Sequence, residues 1–232
     1  GAGTEKVESE IQTLFPGAQT LRWDWDTTRA KGAHDIILRH FRDHQADILI
    51  GTQMIAKGLD LPQVHLSAVV LADTGLHFPD FRAGERTFQL LTQVAGRAGR
   101  RGDQGVVIIQ TYAPENDAIQ AASKHDYHKF YNDEIKIRED VLYPPFAKMA
   151  VLQFTDKLEL KCQQEISKME KLLAKQAEIQ KLPTKIIGTP SPIPKTKQGI
   201  HYQIVLRGED PAKLIRPLRP ALDDWRIDVD PL

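Results

Sequence analysis

The chain has 232 residues, 41% of them hydrophobic, and 31 Lys and Arg offset by 31 Asp and Glu, a size that holds one large domain or two ordinary ones. Zero net charge gives no bulk signature of a nucleic-acid partner, and the single cysteine, Cys162, excludes an internal disulfide and a cysteine-based zinc site. No apolar run approaches the roughly 20 residues that span a bilayer, and the polar start Gly1-Ala2-Gly3-Thr4-Glu5-Lys6 is no signal peptide, so the cytoplasm is the expected location. A helical pattern begins almost at once, as expected of a piece of a longer polypeptide.

Thr4 is placed to cap a helix over residues 5–15, with Val7, Ile11, Leu14 and Phe15 on one face and Pro16-Gly17 ending it. Leu21 to Asp26 alternates apolar and polar, which predicts a strand, and Asp26-Thr27-Thr28 a turn. A helix follows over 32–44, with Ile36, Ile37, His40 and Phe41 facing in. Ile48-Leu49-Ile50-Gly51 is continuously apolar, like a strand buried on both faces of a parallel sheet. Residues 52–65 read as a loop or short helix, Leu66 to Ala72 and Val106 to Gln110 as two more buried strands, and 84–96 as an amphipathic helix between them. Strands alternating with helices predict a doubly wound parallel α/β sheet, whose ligand loops lie at the carboxyl ends of the strands.

From Pro114 the pattern changes to two helices, 115–124 and 126–140, and then Tyr143-Pro144-Pro145-Phe146, where the double proline stops helix. Beyond it come strand 148–155, helix 158–180, strands 184–189 and 201–207, helix 211–222 and strand 225–230. The order βαββαβ is that of an α+β ferredoxin-like sandwich. Cys162, Ile166, Met169, Leu173 and Ala177 recur at helical spacing and read as core filler. Residues 190–199 read as a rigid, then flexible, hairpin loop. Its Lys195 and Lys197 suit a solvated loop or a DNA-contacting one equally. Residues 147–232 carry 15 Lys and Arg against 11 Asp and Glu, a modest basic excess that hints at a phosphate-facing part.

Two stretches carry chemistry. Gly51-Thr52-Gln53 follows a buried strand and presents donors suited to a phosphate oxygen at the sheet's carboxyl edge. Gly58 permits a tight turn or a close ligand, and Asp60 offers a carboxylate to a ribose hydroxyl or an arginine. In Gln93-Val94-Ala95-Gly96-Arg97-Ala98-Gly99-Arg100, helical backbone would put the guanidiniums of Arg97 and Arg100 on one face, beside the bare backbone of Gly96 and Gly99. Paired forked donors suit a polyphosphate, although cations at a helix C-terminus are also favoured by the helix dipole alone. No Gly-Lys dipeptide occurs, so there is no Walker A loop. The one Asp-Glu pair, Asp133-Glu134, lies in a helical stretch and is no Walker B.

The order strand, Gly-Thr, Lys57-Gly58-Leu59-Asp60-Leu61-Pro62, strand, Gln93-x-x-Gly96-Arg97-x-x-Arg100 resembles motifs V and VI of superfamily 2 helicases. The run Asp73 to Arg100, the opening Gly3-Thr4-Glu5, the Tyr143-Pro144-Pro145-Phe146 junction and the ending Asp228-Val229-Asp230-Pro231 resemble the primosomal replication-restart DNA helicases, the PriA family. The resemblance covers essentially the whole chain. It implies a RecA-like second helicase lobe over 1–113, lacking its earliest strand, and a helical connector over 114–146. A ferredoxin-like or ribosomal-protein-like DNA- and partner-binding domain would occupy 147–232. It also implies an ATP-dependent 3′→5′ DNA helicase that remodels stalled forks and starts replisome reloading, with this chain alone inactive as a motor. Arg97, Arg100 and Gln93 are then the catalytic set toward the γ-phosphate and the attacking water. Gly58, Asp60 and Gly96 line the nucleotide, Thr52 and Gln53 face single-stranded DNA, and Lys195 and Lys197 are candidate DNA contacts. ATP and Mg²⁺ are held mostly by the other lobe, and zinc by a cysteine-rich region outside this chain. The implied partners are branched and single-stranded DNA, single-stranded-DNA-binding protein and primosome or helicase-loading proteins, with no membrane. The family often has His where Leu59 stands, and basic residues near the place where only His201 is ionisable here. Two alternatives are a structure-specific DNA and partner-docking module and another superfamily 2 repair helicase.

Overall fold

The computed structural model describes residues 3–29, 32–56, 61–78, 80–96 and 105–231. Its contacts divide the chain into two units. The first is Gly1–His77 with Arg82–Phe130, and the second is Phe78–Phe81 with Tyr131–Leu232. The stretch 114–146, expected as one connector, is shared between them.

In the first unit α1 (Thr4–Leu14), β1 (Thr20–Trp23), α2 (Ala33–Arg42) and β2 (Ile48–Gly51) form one layer pair, and β1 runs parallel to β2 with Trp23 opposite Gly51. Trp23, Ile37, Phe41, Ala46 and Leu61 form its core. Ile36 and His40, expected to face in, are exposed. The apolar stripe of α2 is narrower than the sequence suggests: the buried pair is Ile37 and Phe41, one turn apart. Thr4 does not cap α1. Gly3 holds that position, and the Thr4 hydroxyl instead donates to the Asp24 carboxylate. β1 correspondingly stops at Trp23, because Asp24 turns inward to collect that bond.

A second parallel pair joins β3 (Leu66–Val69) to β4 (Val106–Ile109), with α3 (Asp73–Leu76), α4 (Ala83–Ala95) and α5 (Asp117–Ser123) beside it. Its core holds Ala72, Phe88, Leu91, Ala118, Ile119, Ala121, Ala122 and Phe130, with the rings of Phe88 and Phe130 stacked at 4.4 Å. The expectation that these strands are buried on both faces is not met. Register places Leu66 opposite Val106 and Ala68 opposite Ile108, and all four are exposed, while Val69 and Ile109 on the other face pack on the core. Strand side chains alternate between faces, so an all-apolar run does not by itself fix how many faces are covered.

The second unit takes up α6 (Tyr127–Asp140) from Tyr131 onward and continues with β5 (Lys148–Asp156), α7 (Glu159–Gln180), β6 (Thr184–Thr196), β7 (Gly199–Gly208), α8 (Pro211–Ile215) and β8 (Trp225–Val229). The sheet is fully antiparallel in the order β6-β7-β5-β8. That is the order of a βαββαβ sandwich, with the first and third strands central. Cys162, Ile166, Met169 and Leu173 are buried along α7 against Leu152, Phe154, Ile204 and Leu206. The helix expected over 211–222 gives way at Arg216 to a 3-10 turn, since Pro217 and Pro220 cannot donate to a helical ladder.

The hairpin loop expected at 190–199 is mostly strand. β6 runs on to Thr196 with a bulge between Pro190 and Lys195, and only Lys197 and Gln198 turn. Proline is tolerated there because β6 is an edge strand with one side unpaired. Gly199 takes φ +144°, and a Cβ on it would lie 2.7 Å from the Asp156 carbonyl oxygen. The segment Phe78–Phe81 also belongs to this unit. Phe81 stacks on Tyr143 at 5.3 Å, the Arg207 guanidinium lies 4.4 Å from the Tyr143 ring, and Arg207 Nη1 donates to the Val141 carbonyl.

Candidate functional site

The carboxyl ends of β1 and β2 lie side by side, because Trp23 pairs with Gly51. Thr52 and Gln53 follow directly, exposed, and Gln53 opens the 3-10 turn Gln53–Ala56. A buried carboxylate organises this edge. Asp24, 6% exposed, accepts from the Thr4 hydroxyl, the Thr27 backbone N–H and Arg22 Nε. Those bonds, the one from Thr4 above all, hold its carboxyl below the ordinary aspartate range. The edge of β3 and β4 has a similar device. Burial would raise the Asp73 carboxyl, but the Tyr112 N–H and the Thr111 hydroxyl outweigh it, and the net direction is down. Neither aspartate was singled out from the sequence. The available signal was an acid within a few residues of an apolar strand's carboxyl end, where loops need an acceptor for their free N–H groups.

These shifts set an acid limit. A carboxyl whose folded value lies below its unfolded one adds stability above about pH 4, and that stability is lost as pH falls through the folded value. Stability of the first unit is therefore expected to decline from about pH 4 downward. Asp24→Asn and Asp73→Asn should each be less stable at neutral pH and show a shallower acid slope in urea titrations. An unchanged slope would remove these carboxyls from the acid response.

Gly51 is fixed by space. A Cβ there would collide with the Trp23 carbonyl oxygen and sit 3.1 Å from Ile55 Cγ2. Gly51→Ala should cost about 2 kcal/mol by forcing β1 and β2 apart. Gly96 differs. It follows α4 at φ −70°, and a Cβ would find Thr92 O at 3.5 Å, an ordinary contact. Gly96→Ala should leave stability within about 0.5 kcal/mol of the parent. Urea midpoints of the two variants test this contrast.

Gln93 and Gly96 are both exposed at the end of α4, which stops at Ala95. Arg97, Arg100, Gly58 and Asp60 lie outside the described residues, as does the helical spacing expected of the two arginines. In the second unit Lys195 stands exposed on β6 opposite Ile200, and Lys197 exposed in the turn. His201 is buried, with Nδ1 2.7 Å from Thr155 Oγ1 and Nε2 2.7 Å from Thr196 Oγ1. Both of its nitrogens are engaged inside the fold. Cys162 is buried and its thiol donates to the Ile200 carbonyl, with burial raising its pKa. Among the described residues no group of three or more His, Cys, Asp or Glu could hold a metal ion, and no helix is long and apolar enough to cross a membrane.

Residues 7–102 match the helicase conserved C-terminal domain, and residues 139–232 match the primosomal protein N C-terminal domain. Along its whole length the chain is similar to proteins named replication restart protein PriA. It is 43% identical over 235 residues to that of Bacillus subtilis (strain 168), covering 99% of this chain and 28% of the relative. Against Chlamydia muridarum (strain MoPn / Nigg) it is 40% identical over 240 residues, 100% of this chain and 32% of the relative. Against Synechocystis sp. (strain ATCC 27184 / PCC 6803 / Kazusa) it is 41% identical over 242 residues, 100% of this chain and 28% of the relative.

The chain belongs to the PriA family. It spans about a third or less of the length of these relatives. Within the PriA family it comprises a RecA-like helicase C-terminal lobe followed by the family's own C-terminal domain, the α/β then α+β order read from the pattern of strands and helices.

Proposed function

We propose that this chain supplies one wall of the ATP site and part of the DNA track of an ATP-dependent 3′→5′ DNA helicase. That helicase would remodel stalled replication forks and initiate replisome reloading. The observation that carries the reading is the exposed end of α4. Gln93 and Gly96 are exposed there, and among the described residues a Cβ on Gly96 would meet only ordinary contacts. They immediately precede Arg97 and Arg100, in a chain whose relatives are named replication restart proteins.

Each residue then has a role set by its chemistry. Arg97 and Arg100 carry permanent charge in a forked geometry and reach the γ-phosphate, where charge builds as the phosphoryl group leaves. Gln93 orients that phosphate or the attacking water. Gly96, lacking a side chain, lets the nucleotide approach, and Gly58 and Asp60 take the phosphate and ribose side. Mg²⁺, bound with ATP mostly by the other helicase lobe, would neutralise phosphate oxygens. Thr52 and Gln53, exposed on the carboxyl edge of β2, face the translocating single strand. Lys195 and Lys197 add cationic contacts to the DNA backbone from the second unit. The residues here do not suit zinc, since the one thiol is buried and bonded to a carbonyl. With no Walker A or B sequence, the chain alone turns over no ATP. Single-stranded-DNA-binding protein and helicase-loading proteins are the protein partners this role requires.

Fluorescence anisotropy with labelled single-stranded and fork-shaped DNA tests the DNA half of the reading. Binding at low salt that weakens steeply as salt rises is the expected result. Absence of binding to either DNA at low salt would overturn it.

A further inference from the structure

The loop after β1 carries a feature that neither the fold nor the roles above use. Trp25 is 73% exposed, whereas the chain's other tryptophans, Trp23 and Trp225, are 4% and 8% exposed. Single exposed apolar side chains are ordinary on a protein surface, but Trp25 sets a large aromatic face on the loop that leaves β1, at the carboxyl edge of the β1–β2 pair. The loop that presents Trp25 is nevertheless firmly built. Asp24 N–H donates to Thr27 Oγ1, Thr27 N–H donates to Asp24 Oδ1, and the Thr28 hydroxyl donates to the Asp24 carbonyl at 2.6 Å. The indole is left out of the bonds that fix the loop.

Its place in the fold narrows the ligand. Trp25 lies two residues past Trp23, which pairs with Gly51, so the loop leaves the sheet beside Thr52 and Gln53. The carboxylates flanking it are paired, Asp24 with Arg22 at 3.2 Å and Asp26 with Arg29 at 2.8 Å. Arg22 is shared further with Glu5 and Glu8 on α1, so its charge is already engaged within the fold. What the loop offers is an aromatic face beside a polar edge. Every nucleobase has a matching face, and stacking on an aromatic side chain is the usual sequence-tolerant grip on single strands.

We infer that Trp25 is a base-stacking residue for single-stranded DNA passing the carboxyl edge of β1 and β2. The inference rests on the proposed DNA-tracking role of Thr52 and Gln53. Trp25 grips a base while other residues contact the phosphates, so it contributes affinity without salt dependence.

The test is titration of the 232-residue chain with an oligothymidylate and with an abasic deoxyribose-phosphate strand of the same length, followed by tryptophan emission and by anisotropy of labelled strands. Oligothymidylate should quench the emission, because the exposed indole is Trp25, and the abasic strand should bind more weakly without quenching. Trp25→Ala should weaken oligothymidylate binding about tenfold and leave the slope of log K against log salt unchanged. Trp25→Phe, which keeps a stacking face, should retain most of the affinity while losing the quench. DNA binding that Trp25→Ala leaves unaltered, or equal affinity for the abasic strand, overturns the stacking role and leaves the DNA-tracking role standing. No binding of any strand by the parent chain overturns both.

Discussion

Arg100→Ala in the longer polypeptide is expected to lower DNA-stimulated ATP hydrolysis by about three orders of magnitude, the scale on which arginines stabilise phosphoryl-transfer transition states. Arg97→Ala should act in the same range. Lysine at either position should rescue poorly, because a point charge does not reproduce the guanidinium fork. DNA affinity without nucleotide should stay within about twofold of the parent, since these arginines are assigned to phosphate on the nucleotide rather than to DNA. Steady-state turnover and anisotropy on the same preparations separate the two effects. Equal loss of turnover and of DNA binding would mean that Arg100 serves folding, not chemistry.

Leu152→Ala is expected to destabilise the second unit by about 3–4 kcal/mol. Leu152 is fully buried on β5, a central strand flanked by β7 and β8, where it pairs with Ile204 and Ile227. α7 lies over that face with Met169 and Leu173, also buried. Truncation there leaves a cavity that a sheet paired on both sides cannot easily collapse, which puts the cost in the upper part of the range for such changes. Leu160, on the outer face of α7 and 67% exposed, is the control, and Leu160→Ala should cost less than about 0.5 kcal/mol. The urea midpoint should fall for Leu152→Ala with an unchanged slope. A cost below about 1 kcal/mol would mean that the β5 core is not packed as described.

Much of this was legible in the chain itself, for definite reasons. Cys162, Ile166, Met169 and Leu173 face the core because a long helix repeats every 3.6 residues and gives the periodicity room to show. The order βαββαβ could be read because each element of the second unit is long or bounded by proline, glycine or an acidic turn. Short elements were less readable. In the ten residues of α2, Ile36 and Ile37 are adjacent and equally apolar, and only packing decides that Ile37 is the buried one. Proline in residues 190–194 argued for a loop, yet an edge strand tolerates proline, and edge position is a property of the assembled sheet. The chemistry of Asp24 and Asp73 was hidden for a similar reason. Their partners Thr4, Tyr112 and Thr111 lie 20 to 39 residues away, so position at a strand end marks the acids but not the groups that bond them.

The candidate site divides the same way. Gln93, Gly96, Thr52 and Gln53 are candidates by motif order alone, and Gln93 and Gly96 lie at the exposed end of a helix while Thr52 and Gln53 lie just past a strand end, exposed. His201 was the one imidazole in its run, and its two threonine partners show it committed to the interior of the fold. Trp25 drew no notice as a site, because an alternating strand pattern absorbed it. Its exposure became visible only once β1 was seen to end at Trp23.

The most direct measurement of the half-site reading is ATP hydrolysis by the purified 232-residue chain, with and without single-stranded DNA, beside the longer polypeptide under the same conditions. One wall of a nucleotide cleft should give no turnover above background from the chain alone and DNA-stimulated turnover from the longer polypeptide. DNA-stimulated hydrolysis by the chain alone would contradict it.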